Sequence, residues 1–186
     1  MTMSAVAVPG ADQEGFQHLT QLRKAVRGLE LAQYLERYPA PALLVVGLGS
    51  VDSHAGDDAL GSNLAPQLLT ITHKGLSALR YLDRLGFLVK RPGNPFPHFI
   101  SLGRAANNDL VISIDSVSKV HGYFINTGDG WAFTDHGSTN GTSINGRPLQ
   151  GAVRQPLADG DQLQFGPGIT VEFLLPETLF RRLHSV

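Results

Sequence analysis

Apolar residues recur along this chain with two different periods, and the change of period near Phe87 divides it. From Glu14 to Tyr38 the residues Phe16, Leu19, Leu22, Val26 and Leu29 stand three and four apart, with Arg23, Lys24, Arg27 and Glu30 between them. This spacing predicts an amphipathic helix over 14–38. Pro39 and Pro41 end it, since proline lacks the amide and disfavours helix in the residue before it. The heptad-like spacing is too brief for a coiled coil. The apolar run 42–46 predicts a short buried strand. The stretch 47–63, dominated by glycine, serine and aspartate, predicts a flexible loop. A short strand at 68–72 is expected next, then a helix over 74–85 with Leu76, Leu79, Leu82 and Leu85 on one face and Gly86 as its stop, although helix and strand patterns overlap here. Residues 1–12 carry nothing that packs and are expected to be disordered.

From Phe87 the period shortens to two. Leu110, Ile112 and Ile114 fall on one side of a strand pattern with Val111 and Ser113 on the other, and Trp131 with Phe133, Leu163 with Phe165, and Val171 with Phe173 and Leu175 alternate likewise. Turn formers punctuate these runs: Pro92 to Pro95, Asn107-Asn108, Gly128 to Gly130, Asn145-Gly146 and Asp159 to Asp161. Many short strands at this spacing predict an all-β sandwich or barrel. The expected organisation is a terminus at 1–12, a helical and mixed extension at 13–85, a β domain at 86–176 and a tail at 177–186 that can form a helical turn or two.

Composition narrows the chemistry. A chain of 186 residues can bury about 70% of its unfolded surface without a metal or disulfide. It contains no cysteine, which removes thiolate metal sites and cysteine nucleophiles. A net charge of −1 supplies no general basic field for a nucleic acid backbone. No window is apolar for the roughly 18 residues of a membrane span and the N-terminus lacks a leader-like pattern, so the expected location is the cytoplasm, with no membrane partner.

Three clusters on loops between the strands carry chemistry: Leu102-Gly103-Arg104, Ser118-Lys119-Val120-His121 and Ser138-Thr139-Asn140-Gly141-Thr142. Loops gather at the ends of a sandwich, so residues far apart in sequence can converge on one ligand. The fork of Arg104 can donate two parallel hydrogen bonds to an anionic oxygen pair, which lysine cannot. Ser118 offers a hydroxyl and Lys119 a mobile positive charge. Asn140 has a donor and an acceptor on one side chain, suited to clamping an extended peptide backbone.

The order GR, SxxH, STNGT and a GDxLxFG-like tail at Gly160 to Gly166 closely resembles the forkhead-associated (FHA) domain over roughly Phe87 to Leu175. The resemblance implies an all-β sandwich of two antiparallel sheets in a small bacterial protein, with loops at one end that bind phosphothreonine peptides. By that resemblance Arg104 and Ser118 hold the phosphate, Lys119 assists, and Thr139 and Asn140 hold the peptide backbone. His121 braces the loops from beneath, and Gly103 and Gly141 shape them. Asn107, Asn108, Val117 and His136 would line the residues flanking the phosphothreonine. The implied partners are phosphothreonine proteins, either substrates of a Ser/Thr kinase or the kinase itself, which makes the chain a non-catalytic adaptor without cofactor. The alternative reading is an assembly protein that uses the sandwich and the 14–38 helix to form a homo-oligomer or larger complex, with the pocket secondary or unused.

Other signals in the sequence carry less. Ser116 to Lys119 matches SxxK, but the SDN and KTG elements of that enzyme class are absent. Ser118, His121 and Asp109 form a triad on paper, without a GxSxG elbow. Gly47-Leu48-Gly49 lacks the third glycine of a dinucleotide fingerprint. The seven histidines show no ligand spacing, so no metal is expected. Phosphorylation of Thr2 or Thr20 and capture by the chain's own domain has no acidic, threonine-rich motif behind it.

Overall fold

The computed structural model of the chain describes residues 10–48, 78–94 and 96–185. In chain order the elements are β1 (Phe16–His18), α1 (Leu19–Val26), α2 (Leu31–Arg37), β2 (Ala42–Leu48), β3 (Arg84–Phe87), β4 (Ile100–Gly103), β5 (Leu110–Val111), β6 (Gly122–Asn126), β7 (Trp131–Asp135), β8 (Thr142–Ile144), β9 (Arg147–Pro148), β10 (Gln155–Leu157), β11 (Gln162–Phe165), β12 (Ile169–Leu174) and α3 (Pro176–His184). They form two sheets, ordered β1-β3-β2-β12-β11-β8-β9 and β10-β7-β6-β4-β5. Every pairing is antiparallel except β4 with β5, so the expected sandwich of two antiparallel sheets is present, with one parallel pair at the edge of the smaller sheet.

Alternation along β2 explains why its sequence is continuously apolar. Leu43 and Val45 face the core between the sheets, where they join Leu163, Phe165, Val171 and Phe173 from neighbouring strands and Ile100, Leu102, Phe124 and Phe133 from the other sheet. Ala42 and Leu44 face the opposite way, into a second core with Leu85, Phe87 and Leu174, which Leu22, Val26, Tyr34, Tyr38, Leu179 and Leu183 cover. A strand buried on both faces has no polar positions to alternate with. The structure is therefore three layers, sheet, sheet and helices, with β2 between β3 and β12.

That placement changes the reading of the extension. It was expected to stand outside a β domain beginning at residue 86, yet β1, β2 and the first half of β3 lie in the extension and belong to the seven-stranded sheet. The helix expected over 14–38 is instead a strand and two helices. Phe16 pairs in β1 opposite Gly86 and belongs to the core between the sheets, whereas Leu22 and Val26 face the helical layer. Their common spacing thus joined residues of two different cores. Arg27 leaves helical geometry at ψ 121°, and Glu30 opens α2 with a capping box to Gln33.

The helix expected over 74–85 also needs correction. Ala78 and Leu79 are helical, Asp83 takes a φ of 55°, and the chain enters β3 at Arg84. Leu79 and Leu82 are 43% and 48% exposed while Leu85 is buried, so they share no buried face. Gly86 lies within β3 and stops no helix. Of the disorder expected at 1–12 and the loop expected at 47–63, residues 1–9 and 49–63 lie outside the described residues, as do the strand expected at 68–72 and the first residues of the 74–85 helix; Asp12 is instead held by the Glu14 and Phe16 amides and by Arg84, and Gly47 and Leu48 belong to β2. The expected strand from Leu110 to Ile114 pairs only at Leu110 and Val111, and Val111 is buried along with Leu110, Ile112 and Ile114. Leu175, expected to face inward with Val171 and Phe173, caps α3 and is exposed. Pro176 stands at the first turn of that helix, where its missing amide costs nothing.

Candidate functional site

β4 delivers the first cluster. A Cβ on Gly103 would stand 2.4 Å from the Lys119 carbonyl oxygen, so only glycine allows the two loops this close. The approach is sealed by backbone bonds from the Arg104 amide to the Ser118 carbonyl (2.8 Å) and from the Ala105 amide to the Lys119 carbonyl (3.0 Å). Asn108 adds a side-chain bond from Nδ2 to the same Lys119 oxygen, at 2.8 Å. Arg104 itself is exposed, and its Nε donates to the Val117 carbonyl at 3.1 Å. That bond lays the guanidinium along the second loop, with the Nη groups free of further hydrogen bonds to described residues.

The third cluster docks on the second. Ser118 Oγ accepts from the Thr139 amide at 2.9 Å and lies 3.3 Å from the Thr139 hydroxyl. Asn140 Nδ2 donates to the Ser116 carbonyl at 2.8 Å, leaving its amide oxygen to accept. Gly141, with φ 72°, carries the chain past this contact into β8. Arg104, Ser118, Thr139 and Asn140 are thus brought to one end of the sandwich. The structure does not tether the Lys119 side chain there: it is exposed, and among the described residues its ammonium makes no hydrogen bond.

Beneath the loops His121 is fully buried. Its Nδ1 accepts from the Ser118 amide at 3.2 Å, which assigns the neutral ring's proton to Nε2, 3.1 Å from the Thr142 hydroxyl. Thr142 in turn donates to Asp135 Oδ2 at 2.6 Å, and Asp135 also accepts from the Ser138 amide and hydroxyl, both at 2.7 Å. Burial pushes the His121 imidazole below its ordinary value despite Asp135 and a bond to the Gly141 backbone, which act the other way. The 3.8 Å approach of His121 to Asp135 accordingly sets a neutral imidazole beside a carboxylate at neutral pH and is not an ion pair. Burial alone would raise Asp135, but the Ser138 and Thr142 hydrogen bonds hold its carboxyl below the usual range. One hydrogen-bonded chain, Ser118, His121, Thr142, Asp135, Ser138, therefore ties the second and third loops together from below.

Two of the four specificity candidates cannot meet a ligand as the chain stands: Asn108 is 3% exposed and Val117 0%. Asn108 serves the loop backbone and Val117 the core, whereas Asn107 and His136 are exposed. The paper triad does not assemble either. Asp109 is buried and accepts from Lys90 Nζ, the Arg91 amide and the Ser101 amide, each at 2.8 Å, and the Ser118 group facing His121 is its amide rather than its hydroxyl. Sequence reasoning missed Asp135 and gave Thr142, though part of the third cluster, no role. The hydroxyl-rich run after Asp135 was the available signal, since an aspartate followed by serine and threonine accepts local hydrogen bonds. Among the described residues no group of three or more His, Asp or Glu could hold a metal, and no helix is long and apolar enough to cross a membrane.

Fold and site together define a binding module: a sandwich whose end presents an arginine fork, a hydroxyl and an amide on cross-linked loops. Residues 100–166 match the family model of the FHA domain, and the chain carries an FHA domain over that stretch. It is 35% identical over 85 residues to the glycogen accumulation regulator GarA of Mycolicibacterium smegmatis, covering 42% of this chain and 52% of that protein. It is 33% identical over 85 residues to the oxoglutarate dehydrogenase inhibitor of Corynebacterium jeikeium, covering 42% of this chain and 57% of that one. The match thus spans about half the length of these curated relatives. Among solved structures, Mycobacterium tuberculosis EmbR in complex with a low affinity phosphopeptide is 26% identical at a TM-score of 0.38, covering 44% of this chain and 21% of that chain.

Proposed function

We propose that this chain binds phosphothreonine peptides as a non-catalytic adaptor in Ser/Thr kinase signalling in the cytoplasm. The observation that carries the reading is the pairing of Arg104 with Ser118. Backbone bonds lock their loops together, so an arginine fork and a serine hydroxyl are held side by side at an exposed end. A phosphothreonine brings about −1.5 to −2 charges and three acceptor oxygens, which such donors suit. Thr139 and Asn140 then take the peptide backbone, with Lys119 adding charge. GarA and the oxoglutarate dehydrogenase inhibitor are named as a regulator and an inhibitor, which agrees with a binding role.

The assembly alternative loses its main support in the helical layer. The apolar faces of α1, α2 and α3 are turned onto β2, β3 and β12 of their own chain. The test is a phosphothreonine peptide library read by fluorescence anisotropy against phosphoserine and unphosphorylated copies. Selective binding of the phosphothreonine form supports the reading. Equal binding of all three forms, or assembly on a sizing column without phosphopeptide affinity, refutes it.

A further inference from the structure

We infer that Glu14 and Tyr81 are positioning residues for the phosphate-binding loop, holding Ser113 and through it the segment 114–118 that presents Ser118 and receives Arg104. The inference rests on the phosphothreonine reading and adds to it two residues outside the 100–166 stretch that matches the FHA model.

The loop is strung between two anchors. β5 ends at Val111; after the Ile112 amide's bond to the Gly103 carbonyl the backbone leaves the ladder, and on the way to Ser118 the side chains of Ile114 and Val117 enter the core. At the far end Arg104 Nε and the Arg104 amide take the carbonyls of Val117 and Ser118, and Asn140 takes that of Ser116. At the near end the hold comes from the extension. The Ser113 amide donates to the Tyr81 hydroxyl at 2.8 Å, and the Ser113 hydroxyl donates to Glu14 Oε1 at 2.9 Å. The Tyr81 hydroxyl donates to Glu14 Oε2 at 2.8 Å, and Arg80 Nη2 donates to Glu14 Oε1 at 2.7 Å. The Glu14 carbonyl accepts from the Val111 amide at 2.9 Å, which fixes the carboxylate beside the end of β5.

Both anchoring groups are themselves held. The Tyr81 ring is fully buried, edge-on to Phe16 with centroids 5.5 Å apart. Burial, and beyond it the Glu14 charge, pushes the phenol above its ordinary value against the Ser113 and Arg80 bonds, so it stays protonated as a donor to Glu14. A chain of charge-assisted and neutral bonds in such a part-buried place fixes geometry better than its members do singly. Only four residues stand between Ser113 and Ser118, so freedom at Ser113 has a short path to the phosphate ligand.

The experiment uses the full chain and the tightest-binding phosphothreonine peptide from the library. Tyr81→Phe keeps the ring on Phe16 and deletes only the hydroxyl, while Ser113→Ala removes the Glu14 contact from the other side. Each is expected to weaken binding about five- to tenfold, mainly through faster dissociation, and the double variant to lose little more than one single, because both cut the same connection. Amide hydrogen exchange over 113–118 should rise in both. Arg182→Ala, which breaks the pair with Glu172 on the far helical layer, should leave affinity and that exchange as in the wild type. Wild-type affinity and exchange in Tyr81→Phe would overturn the inference, as would an equal loss in Arg182→Ala. If the wild type binds no phosphothreonine peptide, the phosphopeptide reading itself fails, and the exchange measurement still decides whether Glu14 and Tyr81 order the loop.

Discussion

At the scale of single residues, Arg104 and His121 carry the clearest consequences. Truncating a charged partner at such a contact costs about 2 to 5 kcal/mol, roughly thirty-fold to several thousand-fold in affinity. Arg104→Ala is therefore expected to abolish measurable phosphopeptide binding, and Arg104→Lys to restore only part of it, because an ammonium lacks the planar fork; titration calorimetry with one peptide checks both. His121 makes stability depend on pH. Its imidazole is lowered in the folded state, so its contribution is fully present above the ordinary value of about 6.5 and is lost as pH falls from there toward the lowered value. Asp135 acts in the same direction further down, with a contribution present above about 3.9 and lost as pH falls through its depressed value. Urea midpoints should fall between pH 7.5 and 5.5, and His121→Asn should flatten that slope. An equal slope in the variant would remove His121 as its source.

At the scale of elements, the helical layer and the loops divide the work. α1, α2 and α3 bury Leu22, Val26, Tyr34, Leu179 and Leu183 against the outer face of the seven-stranded sheet. Leu22→Ala should cost about 2 to 5 kcal/mol by urea unfolding. It should leave phosphopeptide affinity unchanged, since the loops stand on other strands. The loops depend instead on polar interior bonds such as the buried pair of Lys90 and Asp109, 2.8 Å apart, at the foot of the Arg104 loop. Removing one partner of a buried pair costs about 3 to 5 kcal/mol because the other charge is left uncompensated. Lys90→Met is thus expected to destabilise the fold in the same unfolding assay, and making Asp109 apolar as well deepens the loss, since the Arg91 and Ser101 amides then lose their acceptor.

At the scale of the whole molecule, the sandwich is not separable from what precedes it. β2 lies between β3 and β12, so a fragment beginning at residue 86 would expose the whole edge of β12 together with parts of two cores. Such a fragment is expected to be aggregated or unfolded by circular dichroism and size exclusion, while the full chain unfolds in one transition. A folded, monomeric fragment would show that the strand contributes nothing essential.

The sequence by itself determined the β-rich half and the three polar clusters on its loops. Period-two alternation and turn residues are local signals, and the clusters around Arg104, Ser118 and Asn140 are contiguous, so chain order alone exposed them. It did not determine the partners of those strands. Phe16 and Leu22 looked like one helical face because spacing carries no record of which core a side chain enters. Asn108 and Val117 looked like specificity residues because exposure is a property of the folded surface. Asp135, Thr142, Glu14 and Tyr81 act on the loops through contacts with sequence separations of 3 to 99 residues. Only the tertiary structure brings such donors and acceptors within hydrogen-bonding distance.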